Sequence, residues 1–312
     1  MQRKYITYLL AFFVPVILVY GLIEYAAMQL PISTKYVAEY MNEEADAIEI
    51  VVLGSSQMKG GINPALMTSK TLNLAGGNQH HDTDFKILQQ LIDRFPKLKT
   101  VVLETSYSHF ELPHNGKHFW KNSVYLKYYG VNNFERPTYF KDELIYLSNP
   151  KFISDQMVNY YATKEILYGF NRFGYDTLNY DGLFKDLHYD EAKISEKKVF
   201  KINKIPSAKI FETNTKLFFK MLAFLEAKNL NVVLCKAPMY KTFLPQRVPE
   251  ILSRRDSIVA VAKARFDNVS VLSLETDTIH YNVRDYWNQS HLNPTGAKKF
   301  TASLDAHIQN ID

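Results

Sequence analysis

The sequence predicts an α/β protein with a doubly wound, mainly parallel five-stranded sheet, an aromatic-rich helical insertion and an N-terminal transmembrane helix. Short apolar runs alternate with segments whose apolar residues recur at helical spacing, which is typical of an α/β/α sandwich. One long stretch, residues 107–206, interrupts this alternation. An uncharged, mostly apolar segment covers residues 5–23. These three observations define the expected architecture.

The N-terminal segment is long enough to cross a membrane. At ~1.5 Å per residue, residues 5–23 span roughly the 30 Å hydrocarbon layer. Arg3 and Lys4 precede this segment. The acidic residues that follow it are Glu24, Glu39, Glu43 and Glu44. By the positive-inside rule we expect a single-pass protein of the cell membrane, with its N-terminus in the cytoplasm and its main domain extracytoplasmic, either periplasmic or extracellular.

A cleaved signal peptide is the alternative interpretation, because Ala26 and Ala27 offer small residues near a suitable position. The apolar stretch is long for a signal core, and bulky residues flank the alanine pair, so we favour a retained anchor. The predicted organisation is a membrane anchor at residues 1–30 and one extracytoplasmic domain at residues 31–312. The lipid bilayer is then a partner through residues 5–23.

Five apolar runs are the expected strands. They are residues 48–53, 71–75, 99–104, 231–236 and 269–274. Asp82 or Thr83 can cap the helix after the second strand, and Asn229 can stop the helix before the fourth. Asn293 and Pro294 fit the N-cap and first turn of a closing helix. This order is of the doubly wound, flavodoxin-like type, in which ligands bind beyond the carboxyl ends of the strands.

The interrupting segment 107–206 holds far more aromatic residues than a plain connection needs. They include Trp120, Tyr125, Tyr128, Tyr129, Tyr160, Tyr161 and Tyr168. We expect a helical insertion over the strand ends, in which most of these rings pack onto the sheet. Some of the rings could line a groove where sugars stack, and the sequence does not say which.

Charge and cysteine content exclude two classes of function. The formal net charge of +5 is dispersed, and the densest lysine cluster, which begins at Lys197 and Lys198, fits a solvated surface. We therefore expect no nucleic-acid partner. The single cysteine, Cys235, lies in an apolar run, so a buried structural thiol is expected rather than a nucleophile or a disulfide partner.

Two short motifs far apart in the chain supply the groups that nucleophilic acyl chemistry requires. Residues 54–57 read Gly-Ser-Ser-Gln directly after the first strand, and His291 lies just before the closing helix. A serine hydroxyl needs a nearby acceptor for its proton during attack, and an imidazole can serve. Each motif alone is equally typical of a turn or a helix cap. Only their pairing favours catalysis.

No metal site or cofactor is expected from the sequence. His80, His81 and Asp82 resemble a ligand cluster, but neighbouring side chains point in different directions in regular structure. Further ligands do not follow at the spacing of a metal site.

The ordered motifs resemble those of SGNH (GDSL-type) hydrolases. The blocks that carry the resemblance are Gly54-Ser55-Ser56, Asn73-Leu74-Ala75-Gly76-Gly77, Val101-Val102-Leu103-Glu104 and His291-Leu292-Asn293-Pro294-Thr295-Gly296. A membrane anchor and Gly-Ser-Ser in place of Gly-Asp-Ser make the chain similar to membrane-anchored acyl-transfer proteins of the cell envelope. Alginate O-acetylation proteins and the D-alanine transfer protein of teichoic acids are of this kind.

The resemblance implies that Ser56 is the nucleophile and His291 its general base. It also implies that the oxyanion and the substrate are held by the Ser56 amide together with Gly76, Gly77, Glu104, Ser106 and Ser108. The backbone amide of Gly77 and a side chain between Ser106 and Ser108 are the preferred donors. The family usually has an asparagine where Ser108 aligns.

The expected partner of the histidine departs from the family pattern. An aspartate commonly lies three residues before the histidine, and this chain has Asn288 there. An amide can orient an imidazole but cannot stabilise an imidazolium by charge. We rank Asn288 first as the orienting group and Asp285 second, with Glu104 as a further alternative.

Two functions therefore remain open. The first is a serine acyl-ester hydrolase or O-acyltransferase that acts on a cell-envelope polysaccharide through an acyl-Ser56 intermediate. The second is a weakened, accessory protein that binds a glycan or a membrane-bound acyltransferase. Asn288 favours the second, and the retention of Ser56 with His291 favours the first.

Overall fold

The computed structural model describes residues 2–165, 168–199 and 202–311. The chain divides into two compact units. Residues 1–32 and 116–167 form one, here called the membrane-helix unit. Residues 33–115 and 168–312 form the other, here called the sheet unit.

The sheet unit contains five parallel strands. They are β1 (Ile50–Leu53), β2 (Thr71–Asn73), β3 (Thr100–Glu104), β4 (Asn231–Lys236) and β5 (Val269–Ser273). Their order is β2-β1-β3-β4-β5, and every neighbouring pair is parallel. The predicted fold class and all five predicted strands are confirmed. The register pairs Leu53 with Leu103 and Glu104 with Cys235, so the residues after β1, β3 and β4 emerge at one edge of the sheet.

Helices of both units flank these strands along the chain. They are α1 (Gln2–Met28), α2 (Ser33–Glu44), α3 (Ser56–Gly61), α4 (His81–Leu91), α5 (Lys121–Tyr129), α6 (Ile145–Ser148), α7 (Pro150–Met157), α8 (Leu183–Asp186), α9 (Glu191–Ser195), α10 (Ala208–Ala227), α11 (Pro249–Arg265) and α12 (Pro294–Gln309). Two short antiparallel strands, β6 (Tyr286–Asn288) and β7 (His291–Leu292), complete the sheet unit. This hairpin is not among the strands predicted from the sequence.

The predicted helix ends are confirmed at two of three positions. The Asn293 side chain accepts from the amides of Thr295 and Gly296 at the start of α12. Asn229 follows the end of α10 in the left-handed region, at φ 55. The predicted cap of α4 is wrong. The helix begins at His81, so Asp82 and Thr83 lie inside its first turn and the capping position falls to His80.

In the membrane-helix unit, α1 contains a candidate membrane span at Arg3–Met28 with a mean hydropathy of 2.4. The most apolar part of this helix is not buried. Near its end, the carboxylate of Glu24 accepts hydrogen bonds from the amides of Ile145 and Tyr146, which open α6. Ala27 packs in the small core of the same unit. The chain thus has one N-terminal helix apolar enough to span a membrane, and its far end belongs to a folded body.

The sheet unit is held at its carboxyl edge by a buried ion pair. Glu275, which follows β5, accepts from Arg255 of α11 at 2.7 Å and from Arg247 at 2.7 Å. Arg255 also donates to the carbonyl of Thr105, just beyond β3, at 3.0 Å. Cys235 of β4 is fully buried, as predicted, and burial raises the pKa of its thiol. This edge is therefore a rigid platform for the loops above it.

Candidate active site

A sharp turn between β1 and α3 presents Ser56. Gly54 adopts a φ of 133, which residues with a side chain rarely take. A Cβ atom on Gly54 would lie 2.6 Å from the side chain of Glu104. Ser55 caps α3 by accepting from the amide of Gln57, so Ser56 is the first residue of the helix. The turn thus requires glycine for both its conformation and its close approach to β3.

Ser56 and His291 converge across 235 positions of sequence. Ser56 Oγ lies 2.8 Å from His291 Nε2, which is hydrogen-bond distance. His291 occupies the second strand of the β6–β7 hairpin and follows the sheet's last crossover. The structure therefore brings together the two residues that the sequence pairs as nucleophile and base.

The other ring nitrogen of His291 is oriented by Asn288. His291 Nδ1 lies 3.2 Å from Asn288 Oδ1 and 3.1 Å from Ser290 Oγ. Asn288 Oδ1 also accepts from the backbone amide of Ser290 at 2.8 Å, which fixes the orientation of its side-chain amide. Nδ1–H then donates to Asn288, and Nε2 is left to accept from Ser56. Burial lowers the pKa of His291, opposed by the charge of Glu104, so the ring is neutral near pH 7.

Asp285, the second-ranked orienting residue, is placed elsewhere. Its carboxylate accepts from Lys299 Nζ at 2.7 Å and from the amide of Asn282 at 2.8 Å, as part of a capping box. The ranking of Asn288 above Asp285 agrees with this geometry. Local capping and a lysine from α12 hold the Asp285 carboxylate away from the imidazole.

Glu104 supports the turn. Its carboxylate accepts from the Ser55 amide at 2.5 Å, from Ser55 Oγ at 3.0 Å and from Ser106 Oγ at 2.5 Å. Burial raises its pKa, and the hydrogen bonds from Ser106 and Ser55 oppose that rise. Glu104 also lines the cavity beside Ser56 and His291. A carboxylate would repel an oxyanion, and its contacts with Ser55 and Ser106 indicate a positioning role rather than that of an oxyanion donor. The Ser106 hydroxyl is thus engaged by Glu104, and it also lies 2.5 Å from Gln57 Oε1.

Of the other residues assigned to the oxyanion, Ser56 and Ser108 line the cavity next to them, whereas Gly76 and Gly77 are not among its described lining residues. The Ser56 amide belongs to the first turn of α3, whose amides have no acceptor within the helix. Ser108 lines the cavity described below. The Gly76 amide instead donates to the carbonyl of Gly54 at 2.9 Å, so this glycine is structural. Within the described part of the sheet unit, Gly77 is not among the residues that line the cavity, whereas its neighbour Asn78 is.

Ser56 and His291 open onto a cavity of about 490 Å³. Aromatic side chains form much of its wall: Tyr107, Tyr168, Phe170, Phe243 and Trp287. Of the rings predicted for a groove, Tyr168 lines the cavity and stacks on Phe170 with 5.3 Å between ring centroids. Tyr125 and Tyr129 are buried, but they belong to the membrane-helix unit and not to the unit that contains the sheet.

Several residues that line the cavity were not predicted as site residues. Lys59 lines the cavity one helical turn after Ser56, and burial lowers its pKa while the charge of Asp176 raises it. Trp287 directly precedes Asn288, Ser290 directly precedes His291, and both line the cavity. Lys59 lies one helical turn after Ser56, and Ser290 lies between Asn288 and His291. Both residues could therefore have been predicted from their spacing. Asp176, which comes from a distant loop, had no such signal.

No protein-family model matches the chain, and no curated protein matches it in sequence. Among solved structures it is similar to a protein from Bacteroides fragilis NCTC 9343, provisionally described as an acylhydrolase. That match has 10% identity and a TM-score of 0.39 and covers 87% of this chain and 93% of the other. The lipase/acylhydrolase from Enterococcus faecalis matches at 10% identity and a TM-score of 0.40, over 85% of this chain and 97% of its own. Similarity at this level carries no argument about the site, and the fold class rests on the sheet topology.

Proposed function

We propose that the protein is a membrane-anchored, extracytoplasmic serine acyl-ester hydrolase or O-acyltransferase of the SGNH type, acting on a cell-envelope polysaccharide. The observation that carries the proposal is the 2.8 Å contact between Ser56 Oγ and His291 Nε2, with Asn288 on the opposite ring nitrogen. The ordered motifs of the sequence support the same assignment. The candidate membrane helix supports the anchored location.

The reaction proceeds in two acyl-transfer steps. His291 Nε2 takes the Ser56 proton while Ser56 Oγ attacks the ester carbonyl, and the Ser56 amide faces the developing oxyanion. The tetrahedral intermediate collapses, the alcohol leaves with the proton from His291, and an acyl-Ser56 ester remains. Water or a glycan hydroxyl then gives its proton to His291 and attacks that ester. The second intermediate collapses, the bond between Ser56 Oγ and the acyl carbon breaks, and His291 returns the proton to Ser56.

Asn288 permits this cycle without a carboxylate next to the ring. In a well-studied serine protease, the change from aspartate to asparagine costs about four orders of magnitude because the histidine then takes the wrong tautomer. Here the Ser290 amide holds Asn288 Oδ1 toward Nδ1, so the correct tautomer is kept. What the site lacks is only the charge that would stabilise the imidazolium.

The cavity walls support a glycan as the acyl carrier or acceptor. Tyr168 and Phe170 offer stacked rings, and Trp287 lies 6.3 Å from the His291 ring between centroids. Flat rings beside a few polar groups suit a sugar that stacks on one face and hydrogen-bonds at its edge. Lys59 adds a polar side chain to the lining of the same cavity.

The test uses the full-length protein in detergent and hydrolysis of p-nitrophenyl acetate. Ser56→Ala is expected to abolish turnover, while Ser257→Ala, an exposed serine on α11, is expected to leave it unchanged. Turnover that survives Ser56→Ala would overturn the assignment.

The second candidate is an accessory protein that binds a glycan or a membrane-bound acyltransferase, and the observation that favours it is the missing carboxylate at position 288. Its signature is glycan or partner binding that survives Ser56→Ala, with no turnover in the unmodified protein.

A further inference from the structure

A buried cluster of two histidines and an aspartate lies behind the nucleophile turn. His81 and Asp84 are three residues apart on α4 and so share a face of the helix, and His109 comes from the loop after β3. Their exposed fractions are 1%, 0% and 4%. One potential metal-ligand atom from each residue lies within 4.8 Å of the other two.

In each of the three residues, one polar atom has a protein contact and the other does not. His81 Nε2 donates to the carbonyl of Glu104 at 2.9 Å, and His109 Nδ1 faces the Glu104 carboxylate at 3.6 Å. Asp84 Oδ1 accepts from Gln79 at 2.7 Å. The second atoms, Nδ1 of His81, Nε2 of His109 and Oδ2 of Asp84, are buried without a hydrogen-bond partner among the described residues. Such atoms are rare in folded proteins and call for an explanation.

The hydrogen bonding of His81 suits a cation. Because His81 Nε2 donates to the carbonyl of Glu104, the neutral ring keeps its lone pair on Nδ1, which is the atom without a partner. Metal ligands must be deprotonated, so a bound ion would take Asp84 as a carboxylate.

We propose that His81, Asp84 and His109 bind one divalent transition-metal ion of the zinc class. Two imidazoles and one carboxylate are a ligand set that zinc takes in proteins, with a fourth position left for a further ligand. Metal–ligand distances of about 2.0–2.1 Å place tetrahedral ligand atoms about 3.3 Å apart, so the three atoms would have to move together on binding from their present separations of up to 4.8 Å. The hydrogen bond between His81 Nε2 and the Glu104 carbonyl is of the kind that orients a metal ligand.

The ion would act on the nucleophile through Glu104. That carboxylate faces His109 on one side and accepts from the Ser55 amide on the other, so the cluster and the Ser56 turn share one group. His80 and His109 also line the cavity, which gives an ion a route from solvent. The role is one of positioning, since no cluster residue contacts Ser56 or His291 in the described structure.

His81 belongs to the His-His-Asp run that resembles a ligand cluster in the sequence, but only the fold brings the distant His109 next to it. The competing explanation is aromatic packing, because the His81 ring lies 5.1 Å from that of Phe218 and 5.2 Å from that of Phe110 between centroids. Packing alone predicts no ion. The two explanations therefore differ in a direct measurement.

The experiment strips the full-length protein with a chelator in detergent and titrates it with Zn²⁺ by calorimetry and with Co²⁺ by visible absorption. We expect one equivalent of each, with the visible bands of a four-coordinate Co²⁺ site. Asp84→Asn should weaken binding by at least about tenfold. It should still fold, because asparagine has nearly the same shape as aspartate and keeps the acceptor for Gln79.

The matched control is His280→Gln. His280 forms an exposed pair with Asp277, 2.9 Å apart, and its loss should leave binding unchanged. A readout without any variant is the thermal unfolding midpoint of the unmodified protein, which Zn²⁺ should raise. Sub-stoichiometric binding, an unshifted midpoint, equal affinity in Asp84→Asn, or equal loss in His280→Gln would each overturn the proposal. None of these readouts uses ester hydrolysis, so the metal site can fail while the proposed activity stands.

Discussion

Asn288→Asp tests the active-site geometry most informatively. The new carboxylate would keep the acceptor contacts of Asn288, which are the Ser290 amide at 2.8 Å, Ser290 Oγ at 3.3 Å and His291 Nδ1 at 3.2 Å. These donors stabilise the ionised form in its buried position. The change therefore adds charge at a position where the histidine is already oriented.

The magnitude follows from the difference between two kinds of hydrogen bond. A neutral bond contributes about 0.5–1.5 kcal/mol, and one to a charged group about 1.5–3 kcal/mol. The difference is about 1–1.5 kcal/mol, and it applies when His291 becomes an imidazolium in the transition state. We therefore expect Asn288→Asp to raise kcat/KM about tenfold.

The assay is the pH profile of kcat/KM for p-nitrophenyl acetate with the full-length protein. The apparent pKa of the essential base should rise in Asn288→Asp, because the carboxylate favours the protonated ring. Asn288→Ala is the paired variant, and it should lose activity because it frees the imidazole to take the other tautomer. A folded Asn288→Asp protein whose rate and apparent pKa are both unchanged would refute the assigned role of position 288.

Three further predictions concern pH, the turn and the buried ion pair. Because burial lowers the pKa of His291, and the ring must be neutral to act as base, activity should persist below pH 6.5 and fall only as pH drops through the lowered value in the pH–rate profile. Gly54→Ala should lose most esterase activity and destabilise the fold by more than about 1 kcal/mol in urea unfolding, whereas Gly21→Ala, which meets open space far from the cavity in the chain, should do neither. Glu275→Ala should destabilise the fold by about 3–5 kcal/mol in the same unfolding assay, because it removes the buried carboxylate that Arg255 and Arg247 share.

Each of these predictions has a contradicting outcome. An activity loss centred above pH 6.5 would contradict the neutral buried imidazole, and equal effects at the two glycines would contradict the strained turn. For the ion pair, the control is Glu212→Ala, which removes an exposed partner of Lys216. If both glutamate variants lower the urea midpoint equally, the buried ion pair contributes no more to the free energy of unfolding than the exposed pair does.

The sheet was predictable because its central strands are buried on both faces. β1, β3 and β4 read as continuous apolar runs, which is how parallel strands covered on both sides appear in sequence. The cap at Asn293 was also predictable, since a capping side chain acts on amides two and three residues away. The β6–β7 hairpin was not, because strands of three and two residues are too short to give a period.

The site residues that lie in the two sequence motifs were predictable. Ser56, His291 and Asn288 came from two short segments and a family resemblance. The role of Glu104 was hidden because its contact with Ser55 joins positions 49 residues apart. Asp285 was a reasonable candidate by spacing, and only the capping box and Lys299 explain why it turns away.

The most direct measurement is active-site labelling of the full-length protein with a fluorophosphonate, followed by peptide mass spectrometry. The reagent reacts with a serine that a neighbouring base activates. We predict one phosphonate on Ser56, and loss of that label in His291→Gln. Labelling of a different serine, or no labelling of the folded protein, would contradict the claim that Ser56 and His291 form a nucleophile and its base.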